Sequence, residues 1–155
     1  MNTTKLKQLK EKMATLRREY VETAKSEFTE LSKELFESYP DLKSFGWVQY
    51  TPYFNDGEEC TFSAHTDQLS INGYGGYNES EDGEGINLLE AAESRTWVDS
   101  KFVAKPVDDK AKEVVDAVET FLKSFDDDFL KEMFGNHVSV TVTASGTSTD
   151  DYEHE

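Results

Sequence analysis

The side chains with the most reactive chemistry are a thiol and an imidazole five residues apart, Cys60 and His65 in "ECTFSAH". Those residue types suit a nucleophile and its general base. An odd separation on a strand puts them on opposite faces, however, and His137 lies far along the chain with no spacing that brings it to Cys60. No Cys-x-x-Cys or His-x-x-x-Cys pattern offers metal ligands. Cys60 alternates with Phe62 and Ala64, which reads as a small hydrophobe in a strand. A second constellation, "NESEDGEGINLLE", imitates a calcium loop, with Asn78, Ser80 and Asp82 at the first, third and fifth positions and Gly83 at the central turn. The closing bidentate glutamate should then stand at residue 89, but that residue is Leu89 and the glutamate is Glu90. The loop reads as solvated and acidic.

Glycines 73, 75, 76, 83 and 85 are not followed by Gly-Lys-Ser/Thr, and the surrounding acids repel phosphate. The carboxylates are too scattered for one pair to stand out as acid and base. These residues therefore predict no catalytic residue, no metal site and no cofactor, and a protein that is not an enzyme. What remains is surface chemistry. Glu79, Glu81, Asp82, Glu84, Asp108, Asp109, Asp126, Asp127 and Asp128 make an acidic exterior on which spaced carboxylates can copy a phosphate track.

The totals fit a binding protein. The 155 residues carry a formal charge of −16, unevenly spread: residues 1–38 sum to +1 and residues 39–155 to −17. That excess of acid argues against direct nucleic-acid binding, which uses Lys and Arg against phosphates. Hydrophobic content is only 36%, yet ten Phe, seven Tyr and two Trp supply large buried area, so an aromatic core is expected. One cysteine excludes an intrachain disulfide and suits a reducing cytosol. The opening "MNTTKLKQLKEKM" has charges where a signal peptide is apolar, and no apolar run approaches the ~20 residues of a membrane span. A cytoplasmic protein with no membrane partner is expected.

The elements that must position these surfaces follow from periodicity. Residues 4–38 hold no Gly or Pro and read as one helix that Pro40 ends. Leu6, Leu9, Met13, Leu16 and Tyr20 recur in a heptad rhythm. At ~1.5 Å per residue the rod is about 50 Å long and should overhang a globule of this size. Cations crowd its first half and glutamates its second, the reverse of what the helix dipole prefers. That order predicts an antiparallel homodimer, or docking of the helix in a partner's groove.

"SFGWVQYTPYF" (44–54) reads as a strand with Phe45, Trp47, Gln49 and Thr51 on one face, and Asn55-Asp56-Gly57 as its hairpin turn. A return strand at 59–66 and an extended piece at 68–71 follow. Residues 72–85 are the least ordered interior run. A short helix is expected near 87–94, an extended connection over 98–105, and a second long helix from Asp108 that Asp126 interrupts before Gly135 closes it. Val138, Val140 and Val142 mark the clearest strand, over 137–145. The whole reads as α+β: a long N-terminal helix (1–38), and a body (39–145) of three or four mostly antiparallel strands with the second long helix on one face. Residues 146–155 read as a disordered acidic tail.

The segment "WVQYTPYFNDGEECTF" resembles small uncharacterised proteins of tailed bacteriophages and some bacteria, through Trp47, Gln49, Tyr50, Thr51, Pro52, Tyr53, Phe54, Asn55, Asp56, Gly57, Cys60 and Phe62. The match covers about a tenth of the chain. It implies a viral origin and no particular mechanism. By analogy with small acidic phage proteins, the expected function is binding and inhibition of a host machine, such as a defence enzyme or an ATP-dependent protease, in the host cytoplasm. The alternatives are a DNA mimic occupying the groove of a basic host enzyme, and a small enzyme or metal-binding protein using Cys60. The residues expected to meet a partner are Leu6, Leu9, Met13, Leu16 and Tyr20 on the helix, and Asp126, Asp127 and Asp128 on the body.

Overall fold

Strong helix formers without a breaker carry α1 unbroken from Thr3 to Ser38. Tyr39 donates back to the Leu35 carbonyl, and Pro40 turns the chain away. The computed structural model describes residues 3–52, 57, 60–75 and 83–152. Beyond α1 come β1 (Ser44–Tyr50), β2 (Ser63–Ala64), β3 (Ser70–Ile71), α2 (Leu88–Ala91), β4 (Arg95–Val98), β5 (Lys101–Ala104), α3 (Asp109–Lys123), α4 (Asp127–Phe134), β6 (Val138–Thr143) and β7 (Gly146–Asp151). The architecture is α+β, with a long N-terminal helix and a small antiparallel sheet.

β1 is the sheet's centre. One edge pairs with β6, Ser44 opposite Thr143 through Gln49 opposite Val138. Its other edge pairs with β3 at Phe45–Gly46 and with β2 at Gln49–Tyr50, so β2 and β3 act as one interrupted strand. In the interruption the His65 amide donates to the Val48 carbonyl. Period-2 alternation sends Phe45 and Trp47 of β1, and Val140 and Val142 of β6, into one face. The C-terminal half of α1, α3 and α4 cover that face with Ala24, Phe28, Phe36, Val114, Val118, Leu122, Leu130 and Met133. Phe28 is the hub: its ring meets those of Trp47, Phe121, Phe125 and Phe134 at centroid distances of 5.3–6.4 Å.

The second helical stretch is two helices. Asp108 caps α3, accepting from Lys110 N and Ala111 N, and α3 stops at Lys123. Asp126 then caps α4, accepting from Phe129 N at 2.8 Å. Both are the side-chain acceptors that free helix N–H groups require.

Four expectations need correction. Residues 146–151 are not a disordered tail: β7 pairs with β6 along its full length, and the Tyr152 amide donates to the His137 carbonyl. Its sequence, GTSTDD, is polar because the strand lies at the sheet's edge, where backbone hydrogen bonds to β6 suffice. The body thus runs to at least Asp151. The connection over 98–105 holds most of a hairpin, β4–β5, turned at Asp99 and Ser100 with positive φ of 50° and 64°. That backbone matches the twist of the strands it joins. The short helix is a single turn, capped by Asn87 and closed by Ala92. Finally, Asn72, expected to open a loosely ordered run, is fully buried. Asn55 and Asp56 of the hairpin turn lie outside the described residues, as do residues 76–82.

Candidate functional site

The first 18 residues of α1 bury nothing. Every residue from Thr3 to Tyr20 is exposed, and Ala24 is the first to enter the core. At ~1.5 Å per residue this half is roughly 27 Å long. Leu6, Leu9, Met13 and Leu16 stand 42%, 54%, 60% and 55% exposed along it. Past Tyr20 the spacing changes: Ala24, Phe28, Ser32 and Phe36, four residues apart, face the core and are covered, while Leu31 stays 43% exposed. The helix has no acid in its first turn and no base in its last, so its charge order does not serve its own dipole.

Tyr20 marks the junction. Its ring meets the edge of Phe129 on α4, centroids 6.3 Å apart. One turn earlier Arg17 pairs with Glu132 of α4, Nη2 to Oε1 at 2.7 Å. An acidic helix thus braces the base of the projecting seam with one apolar contact flanked by one ion pair. Leu6, Leu9, Met13 and Leu16 extend beyond this brace.

The aspartates group differently. Asp126 is spent on the α4 cap, and Asp127 Oδ1 accepts from the Ala64 amide at 3.3 Å, tying α4 to β2. Asp127 and Asp128 also set negative charge in the first turn of α4, where the dipole favours it. Asp128 borders a shallow recess with Arg17, Lys131 and Glu132 at the α1–α4 junction. The run is exposed, but its spacing is accounted for by starting a helix.

The thiol chemistry finds little assembly. Cys60 is half-buried with a free thiol. His65 stacks on Tyr50 at 4.5 Å, and its Nε2 is buried with no hydrogen-bond partner. Tyr50 in turn packs on Tyr152 at 5.6 Å. Burial, then the neighbouring Tyr152, push the Tyr50 phenol above its ordinary pKa. No group of three or more His, Cys, Asp or Glu side chains among the described residues could hold a metal ion. Of the calcium-like set, Asn78, Ser80 and Asp82 lie outside the described residues, and Glu90 sits on α2. A cleft of about 330 Å³ opens between α1, α4 and β7, bordered by Lys25, Phe28, Met133 and Thr149.

Two buried polar residues hold this frame, and only one was visible in the pattern. Gln49 shares the β1 core face with Trp47: its Oε1 accepts from Trp47 Nε1 at 2.9 Å, and its Nε2 donates to Leu130 O at 3.0 Å and Gly135 O at 2.6 Å. Asn72 has φ of 57°, which Asn tolerates. Its Oδ1 accepts from the Lys43 and Ser44 amides, and its Nδ2 donates to Asp41 O and Ile86 O. An Asn-Gly pair after a strand was the sole local signal; all four partners are distant in sequence.

A second exposed apolar patch lies on the β4–β5 hairpin. Trp97 and Phe102 are each 62% exposed and meet edge to face at 4.8 Å, with Arg95 over the Phe102 ring at 5.3 Å. Among the described residues no helix is long and apolar enough to cross a membrane. No family model, no curated protein and no solved structure matches this chain.

Proposed function

We propose that this protein works by binding another macromolecule through the projecting half of α1, and that it belongs to the class of small acidic phage proteins that inhibit a host machine, a defence enzyme or an ATP-dependent protease. The observation that carries the binding reading is the bare seam. Leu6, Leu9, Met13 and Leu16 form a continuous apolar stripe on a helix whose other half is anchored in the core. A stripe of this kind is the helix half of a helix-in-groove contact. Contiguous exposed apolar surface is costly unless a partner covers it. The inhibitory and viral part rests on the likeness of the Trp47–Phe62 segment to phage proteins.

A mimic of DNA would use the Asp126–Asp128 surface instead. Two of those carboxylates already accept backbone hydrogen bonds, which weighs towards the helix as the binding element. Affinity capture from bacterial lysate, at low and high salt, separates the two readings. Capture that Leu9→Asp and Leu16→Asp abolish, with modest salt dependence, supports the helix. Capture that survives those changes but is lost on Asp126→Asn, Asp127→Asn and Asp128→Asn, and collapses with salt, supports mimicry and overturns the helix reading.

A further inference from the structure

We propose that the seam of α1 selects an amphipathic partner helix flanked by Asp and Glu, in preference to a second copy of itself; this rests on the docking reading above. On a 3.6-residue helix, Leu6, Leu9, Met13, Leu16 and Tyr20 occupy one narrow stripe, the a and d positions of a heptad. The positions bordering it as far as Arg17 are Lys5 and Lys12 on one side and Lys10 and Arg17 on the other. All four are cations. Of the two glutamates between residues 3 and 20, Glu11 falls on the opposite face, and Glu19 is the exposed last bordering position, beside Tyr20 where the helix reaches α4.

These flanks decide the partner. In a coiled coil the bordering positions of the two helices face each other, so a parallel pair of this segment would set Lys5 and Lys12 against Lys10 and Arg17, and an antiparallel pair would still set cation against cation except where Glu19 meets Lys5. A longer antiparallel overlap would bring the first half onto the glutamates of the second half, but the apolar stripe there, Ala24, Phe28 and Phe36, is already buried against the chain's own sheet. An anionic lipid surface is also a poor match. Interfacial helices present a broad apolar face, and this stripe is narrow. The body beyond residue 38 carries −17 and would be held against the same surface.

The chain itself supplies the template. α4 meets the base of the seam with Phe129 on Tyr20 and Glu132 on Arg17. It is short, eight residues from Asp127 to Phe134, and ends there. An acidic helix laid end to end with α4 would continue both contacts, placing apolar side chains over Leu16, Met13, Leu9 and Leu6 and carboxylates beside Lys12, Lys10 and Lys5.

The test uses the full chain and two synthetic peptides of identical Leu heptads, one with Glu and one with Lys at every bordering position, followed by fluorescence anisotropy. The Glu peptide should bind at least about tenfold more tightly, a difference of about 1.4 kcal/mol. That preference should shrink as salt screens the exposed pairs, and Lys5→Glu, Lys10→Glu and Lys12→Glu together should reverse it. Circular dichroism confirms that the variants keep their helix. Equal affinity for both peptides overturns the proposal. So does self-association in sedimentation velocity that Leu9→Asp abolishes, or preferential binding to phosphatidylserine vesicles. If Leu9→Asp leaves Glu-peptide binding intact, the docking reading fails as well; if it abolishes both peptides and no charge preference exists, only the present inference fails.

Discussion

Gln49→Met tests whether the body is held by the buried polar clamp that joins β1 to α4. Gln49 is fully buried, and methionine nearly matches its volume, so the change leaves little cavity. What it removes is three hydrogen bonds. Trp47 Nε1 loses its 2.9 Å acceptor, and the carbonyls of Leu130 and Gly135 lose donors at 3.0 and 2.6 Å. Leu130 lies within α4, so the stranded groups that matter most are the indole N–H and the Gly135 carbonyl. Each unsatisfied buried group costs about 1–3 kcal/mol, for a combined loss near 3 kcal/mol. A domain of this size has about 5–15 kcal/mol in all, and its melting temperature should fall by roughly 6–12 °C. Urea denaturation followed by tryptophan fluorescence measures the loss, with an unchanged m-value confirming a change in stability alone. Gln49→Glu keeps the shape but sets carboxylate oxygens against both carbonyls, and should cost at least as much. A loss below about 1 kcal/mol for Gln49→Met would mean that the residue only fills space, and would refute the clamp.

Removing residues 1–15 should leave thermal unfolding nearly unchanged, within about 0.5 kcal/mol, because that part of α1 touches no core; a large destabilisation would show that the seam folds back in solution. Asp126→Ala should cost about 1 kcal/mol through the lost α4 cap, read by chemical denaturation; no loss would return Asp126 to the candidates for a purely surface role. The Tyr50 proton is held more tightly in the folded chain than in the unfolded one, because burial and then Tyr152 raise its pKa. Its contribution is therefore complete below the unfolded tyrosine value of about 10 and is lost as pH rises from there through the folded value. The difference in tyrosinate absorbance between wild type and Tyr50→Phe should appear at higher pH than for free tyrosine, and Tyr152→Phe should bring it part of the way back. An ordinary titration of Tyr50 would contradict the burial assigned to it.

Local chemistry dictated much of this protein. An unbroken run of helix formers closed by Pro40 makes α1. Asp108 and Asp126 begin α3 and α4, and alternating valines make β6. Trp47 and Gln49 share the core face of β1 as period-2 alternation requires. Each of these is set by neighbours within a few residues, which is why spacing alone exposes it. β7 is different: beyond its two threonines little in GTSTDD favours a strand, and it forms because β6 offers a free row of backbone donors and acceptors. Asn72 is different too, since its partners lie 14 to 31 residues away. Both halves of α1 likewise carry an apolar stripe, Leu6 to Tyr20 at heptad spacing and Tyr20, Ala24 and Phe28 in steps of four, and neither spacing says which half is covered. The sequence supplies the stripe and its bordering cations; only the packing of the sheet and α4 decides that residues from Ala24 onward are covered and Leu6 to Leu16 stay bare. Which half of a helix striped along its whole length is buried depends on where the rest of the chain lies, and that is a property of the whole fold.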